Sequence, residues 1–191
     1  MPHIRLATAA DAQGILNIYA PYIKNTSLTF ETEIPSVASF GKRIADYLEN
    51  WPWLVCEIDG IIAGYAYGSR YRERMGYQWC VECSAYIHDN FLRAGIGSAL
   101  YKSLFDVLKL QGYRNVYAVI NLPNDRSVTF HEKMGFQHFA TYENVGYKLG
   151  KWKNVGWWQL VINEYNEEPS APKLFAALNK QEIQRVLSDR L

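Results

Sequence analysis

Apolar residues along this chain recur at two spacings, and the order in which those spacings alternate predicts the architecture. HIRLA (3–7) alternates as a first strand. T-A-A-D, starting at Thr8, reads as a capping box with Asp in place of Glu. Ile15, Ile18, Tyr22 and Ile23 follow at helical spacing, and Pro21 is expected to end or kink that helix. After the loop-like TSLTFETEIPS, a second helix is expected from Ser36 or Val37 through Ala45 and Leu48 toward Trp51. WLVCEIDGIIAGYAYG is two apolar runs joined by Asp59 and Gly60, a strong hairpin signal.

A polar loop, YRERMGYQ, leads into a strand over 79–88. Residues 97–111 place Leu100, Leu104, Val107 and Leu108 on one helical stripe that Gly112 closes. NVYAVINL (115–122) is nearly continuous in apolar character, which predicts a strand buried on both faces. LPND opens a short helix ending at Gly135, and two strands, 137–147 and 155–163, flank GKWKN. Strand, helix and strand over 79–122 imply a parallel pair with a right-handed crossover, and the remainder reads as antiparallel. The expected fold class is therefore α/β of the mixed α+β kind: a central, mostly antiparallel sheet with helices on both faces. EEPSAP marks a change of character, so residues 1–165 read as the main domain and 166–191 as a linker and short helix. In that helix N-K-Q-E sets the start, and Ile183, Val186 and Leu187 share one face that packs on the body or on a partner.

Composition narrows the function classes. A formal charge of +1 over 191 residues recommends neither nucleic acid nor an anionic membrane as a partner. No signal-type segment and no run of about eighteen apolar residues is present, which reads as a cytoplasmic protein. Cys56, Cys80 and Cys83 are too few and too uneven for a disulfide framework. Cys80 and Cys83 fall on opposite faces of one strand, so they cannot grip one ion together, and no metal is expected.

FLRAGIGS (91–98) lies between the strand and the long helix. Free N–H groups at a helix start, approached by Gly95 and Gly97 at positive φ, can bind an anion; a turn that merely needs glycine is the competing reading. A dinucleotide fingerprint fails because its sixth position is Leu100, and no G-K-[ST] is present for a P-loop. A zinc-protease reading of His131 and Glu132 fails because Gly135 stands where the second histidine belongs.

Taken together, RAGIGS, VECSAYIH (81–88), VINLPNDRSV-x-FHEKMGF (119–136), GYKLGKW (146–152) and NVGWWQ (154–159) resemble the GNAT superfamily of acetyl-CoA-dependent N-acetyltransferases. Within it they are similar to the phosphinothricin, methionine sulfoximine and methionine sulfone acetyltransferases. The resemblance covers residues 3 to about 163. It implies the GNAT fold with a splayed parallel strand pair, and acetyl-CoA as cosubstrate. The pyrophosphate would be cradled by backbone N–H groups of Arg93, Ala94, Gly95, Ile96, Gly97 and Ser98. Pantetheine would lie along Ala85, Tyr86 and Ile87, with Asn124 and Lys133 reaching the same molecule. Leu92 departs from the family, which usually carries Gln or Arg there, so the grip should rest on backbone groups. The subfamily is commonly dimeric, and a homodimer is the expected assembly.

Acetyl transfer needs a free amine, a stabilised oxyanion and a protonated leaving thiol. Glu82, mid-strand among apolar neighbours, is the candidate general base for direct transfer, because burial raises a carboxyl toward neutrality; its competing role is to pair with a buried Arg. His131 stands where many GNAT enzymes have tyrosine and is the candidate acid, against a reading as a core histidine. Arg72 and Arg74, with Glu73 between them, are suited to an acceptor carboxylate or phosphinate. Phe30 resembles the aromatic position that closes the amino-acid pocket, and Cys83 and Ser84 beside Glu82 complete the acceptor set. The expected substrate is the α-amino group of a small amino-acid analogue. The alternatives are a GNAT acting on a protein N-terminus, lysine or polyamine, and a non-catalytic acyl-CoA sensor.

Overall fold

The structure, a computed structural model, describes residues 2–188. Strand β1 (His3–Leu6) is followed by a 3-10 turn (Ala9–Asp11) and helix α1 (Ala12–Asn25). The expected capping interaction is present, with the Thr8 N–H donating to Asp11 Oδ2 at 2.7 Å. Pro21 does not end the helix; α1 runs through it to Asn25, and Tyr22 O still accepts from the Thr26 N–H at 3.3 Å. Helix α2 (Val37–Asn50) starts where expected, with Ser36 as N-cap accepting from the Ser39 N–H at 3.2 Å.

The hairpin β2 (Trp53–Ile58) and β3 (Ile61–Arg70) turns on Asp59 and Gly60, both at positive φ. Strand β4 (Cys80–Ile87), helix α3 (Ile96–Gln111) and strand β5 (Asn115–Leu122) form the parallel crossover unit. Helix α4 (Asp125–Lys133) and the hairpin β6 (Gln137–Lys148) and β7 (Lys151–Val161) complete a seven-stranded sheet in the order β1-β2-β3-β4-β5-β7-β6. Among the described residues only β4 and β5 run parallel; every other pair is antiparallel. The segment KWKN, expected as loop, is the first part of β7, because Leu149 and Gly150 alone make the turn at positive φ.

Two cores lie on opposite faces of the sheet. Helices α1 and α2 pack Ile15, Phe40 and Ile44 against Trp53, Val55 and Tyr65. Helix α3 packs Leu100, Leu104 and Leu108 against Leu54, Ala66, Val81, Val116 and Ala118, with α4 adding Val128 and Phe130. Because α1 and α2 cover the β1–β4 half only, the same face of β5 stays open. This corrects the expected two-sided burial of β5: Val116, Ala118 and Ile120 are buried, but Val119 on the other face is 41% exposed.

The C-terminal segment packs on the body. Phe175, Leu178 and Ile183, the last on helix α5 (Lys180–Ser188), pack with Val107 of α3. Gln111 is buried and its Nε2 donates to both Asn50 O and Lys173 O at 2.8 Å, while Trp79 Nε1 donates to Ser170 O at 2.8 Å.

Candidate active site

The glycine turn is built by two residues at positive φ, Arg93 (67°) and Gly95 (77°), with Gly95 as the left-handed N-cap of α3. Gly97 departs from expectation: it is already inside the helix at ordinary φ, and a Cβ there would only come into van der Waals contact with the Phe130 ring. Gly95 faces open space, while Ile96 is buried and anchors the helix start. The first N–H groups of a 16-residue helix thus emerge beside an exposed backbone turn, with the positive end of the helix dipole behind them. Exposed Arg93 adds charge, and Leu92 offers none. Lys133 is exposed at the end of α4; Asn124 is the N-cap of that helix, its Oδ1 accepting from the Ser127 N–H at 3.2 Å. The turn has the open backbone and polarity that a diphosphate requires.

Pairing of β4 with β5 stops at Cys83 and Ala118. Beyond that point Ser84, Ala85, Tyr86 and Ile87 pair with β3 alone, leaving a gap toward β5 for an extended ligand to enter. Glu82 sits just before the gap, opposite Tyr117, on the face that α1 and α2 leave uncovered at β5. Burial lifts its carboxyl from 4.5 to about 7, partly opposed by the positive charge of Arg72. Around it stands an aromatic wall: Tyr71 stacks on Tyr117 with ring centroids 4.4 Å apart and meets Trp157 edge-on at 6.0 Å. The Arg72 guanidinium lies over Tyr71 and Trp157, at 5.1 and 5.8 Å. Arg72 and Glu82 are therefore brought together. Glu73 instead pairs with Arg70 at 2.8 Å, and Arg74 is exposed at the start of a 3-10 turn. Phe30 reaches the far end of the open face, against Gly146 of β6.

His131 is 7% exposed and enclosed by Tyr101, Phe130 and Phe136. Its Nδ1 lies 2.7 Å from Ser127 O, a carbonyl that can only accept, so Nδ1 carries the proton. Nε2 then accepts from the Tyr101 hydroxyl at 3.0 Å. Burial lowers the imidazole pKa, so the ring is neutral at neutral pH. Tyr101, on α3, was not singled out by sequence; only its helical spacing from Leu104 marks it as inward-facing. It also bonds the Cys83 thiol, which burial pushes up to about 12, and burial raises the Cys80 thiol as well. Neither sulfur is a thiolate at neutral pH, and no group of metal-ligating side chains occurs among the described residues.

The chain is similar to known acetyltransferases. A model of the acetyltransferase (GNAT) domain matches residues 4–157. A phosphinothricin N-acetyltransferase of Streptomyces viridochromogenes is 39% identical over 156 residues, covering 82% of this chain and 85% of the relative. An L-methionine sulfoximine/L-methionine sulfone acetyltransferase of Salmonella typhimurium is 30% identical over 166 residues, covering 85% of this chain and 95% of the relative. The crystal structure of a phosphinothricin acetyltransferase from Sinorhizobium meliloti in complex with acetyl-CoA superposes with a TM-score of 0.82 at 29% identity, over 91% of this chain and 98% of that one. With its parallel strand pair parting beside a left-handed glycine turn, the chain belongs to the GNAT acetyltransferase family.

Proposed function

We propose that the protein transfers acetyl from acetyl-CoA to the α-amino group of a small amino-acid analogue of the phosphinothricin, methionine sulfoximine or methionine sulfone type. The observation that carries this reading is the juxtaposition of Glu82, a carboxyl near neutrality, with Arg72 on an aromatic wall at the mouth of the strand gap. Backbone N–H groups from Arg93 to Ser98 hold the diphosphate, and the freed edge of β4 from Ala85 to Ile87 receives the pantetheine arm, assisted by Asn124 and Lys133. The Arg72 fork binds the acceptor's carboxylate or its tetrahedral oxygens. Glu82 takes a proton from the acceptor ammonium, directly or through water, and the freed amine forms a C–N bond at the thioester carbon as the C–S bond breaks. The departing thiolate takes its proton from the Tyr101 hydroxyl, which neutral His131 holds through Nε2, and the second proton shed by the nitrogen as the amide forms restores that hydroxyl. No cysteine takes part.

A basic acceptor such as a polyamine or lysine would meet Arg72 first and be repelled. The protein works in the cytoplasm as a homodimer in this proposal; exposed Phe139, Tyr142 and Trp152 on the late hairpin support the assembly. The test is thiol release from acetyl-CoA with methionine sulfone, methionine sulfoximine, phosphinothricin, a polyamine and a peptide amine. Turnover with at least one of the first three is expected. Turnover confined to the polyamine or peptide, or none at all, overturns the reading.

A further inference from the structure

GYKLGKW spans the end of β6, the turn after it and the start of β7, three strands from Glu82, and nothing in the chemistry above uses it. Its contacts point to a role. The segment 26–31 between α1 and α2 has no regular structure, yet it is tied from two sides. On the helix side, the Thr29 and Tyr19 hydroxyls are 2.7 Å apart and Arg43 donates to Glu31 at 2.7 Å. On the sheet side, Asn121 of β5 donates to Ser27 O, and Lys148 of β6 donates through Nζ to Thr29 O at 2.7 Å. Phe30, between these ties, lays its ring on Gly146, where a Cβ would overlap the ring atoms.

Lys148 is the informative residue. It is 5% exposed, and burying an ammonium is unfavourable unless it is well bonded, whereas an apolar side chain would fill the same volume without that cost. What the ammonium supplies, and an apolar chain cannot, is a bond to the carbonyl of the residue preceding Phe30. Gly146 makes the matching concession by offering no side chain, so the ring can seat. Ser27 O, Thr29 O and Phe30 are thus held from β5 and β6, the strands either side of β7, which carries Trp157. The segment is stretched over the open face like a bar.

We propose that Gly146 and Lys148 form a latch that positions segment 26–31, and with it Phe30, as the fixed wall of the acceptor pocket, Lys148 being a positioning residue. The proposal rests on the acceptor reading above. Lys148→Met, which keeps length and removes the donor, is expected to raise acceptor KM about tenfold, as for loss of one hydrogen bond to a charged group, with a smaller change in kcat. The KM for acetyl-CoA stays within about twofold of wild type, since the glycine turn is untouched. Gly146→Ala, whose methyl displaces the Phe30 ring, raises acceptor KM in the same direction and has no further effect in a Phe30→Ala background. Hydrogen exchange reads the latch without any acceptor: protection over 26–31 falls in Lys148→Met, while that of α3 does not.

An acceptor KM that is unmoved in either folded variant, or acetyl-CoA and acceptor KM rising together, overturns the latch. So does a Gly146→Ala effect that persists without Phe30, or unchanged exchange over 26–31. If the wild-type protein turns over none of the three analogues, the substrate reading fails separately, and the exchange experiment still decides the latch.

Discussion

Replacing Glu82 by Gln separates its chemical role from its energetic one. The raised carboxyl means that the folded protein holds this proton more tightly than the unfolded chain does. The associated penalty on folding is therefore absent below about pH 4.5, grows as pH rises, and is complete above about 7. The interval from 4.5 to about 7 corresponds to about 3 kcal/mol at pH 8.5, and to about 1 kcal/mol at pH 5.5, where both states are partly protonated. Gln keeps the shape and never ionises. Glu82→Gln should therefore be more stable than wild type by up to about 3 kcal/mol at pH 8.5, a gain of roughly 6–12 °C in Tm for a domain of this size. The advantage should shrink toward about 1 kcal/mol at pH 5.5. The same substitution should lower kcat/KM by about 10²–10⁴, the usual worth of a general base, and remove the acidic limb near pH 7. Thermal scans at the two pH values and a thiol-release pH profile measure both arms. A variant that keeps its activity within tenfold, or whose stability relative to wild type does not change with pH, refutes the assignment.

Arg72→Ala withdraws the charge that opposes the lift on Glu82, so the acidic limb of kcat/KM should move to higher pH while acceptor KM rises; a pH profile on one acceptor reads both. Tyr101→Phe and His131→Asn should each lower kcat about 10- to 100-fold, and the double variant should be no worse than either single one, because the two act as a unit. Independent losses measured in single-turnover experiments would contradict this. Gly95→Ala meets no atom but must adopt φ near 77°, so it should cost about 1 kcal/mol by urea unfolding and raise acetyl-CoA KM without affecting acceptor KM. Gln111→Leu leaves the Asn50 and Lys173 carbonyls without their shared donor and should cost about 2 kcal/mol, with faster proteolysis in the segment after residue 166.

The element order, the hairpin at Asp59 and Gly60, the parallel crossover and the helix start at FLRAGIGS were legible because each is carried by local periodicity or turn chemistry. The misses share a cause in tertiary context. Pro21 stays inside α1 because burial of Ile18, Tyr19 and Ile23 along that helix outweighs one missing hydrogen bond. The two faces of β5 read alike as apolar, and only the reach of α1 and α2 decides which face is covered. At the site, Glu82 was visible as a carboxylate in an apolar strand. Tyr101, Gly146 and Lys148 were not, since their partners lie 30, 116 and 119 positions away in sequence. A buried lysine on an outer strand carries no local signal; only the carbonyl it meets explains it.

The unequal cover over the sheet has an evolutionary consequence. Tyr117, Val119 and Trp157 belong to neither hydrophobic cluster, although each alternates along its strand with residues that do. Successive positions on β5 and β7 therefore carry different duties, one set packing the core and the next, under the proposed function, facing the acceptor. Sequence change can drift through positions 117, 119 and 157 with little penalty in foldedness, so acceptor range can diversify among descendants of this chain while Val116, Ala118, Ile120 and Trp158 stay still.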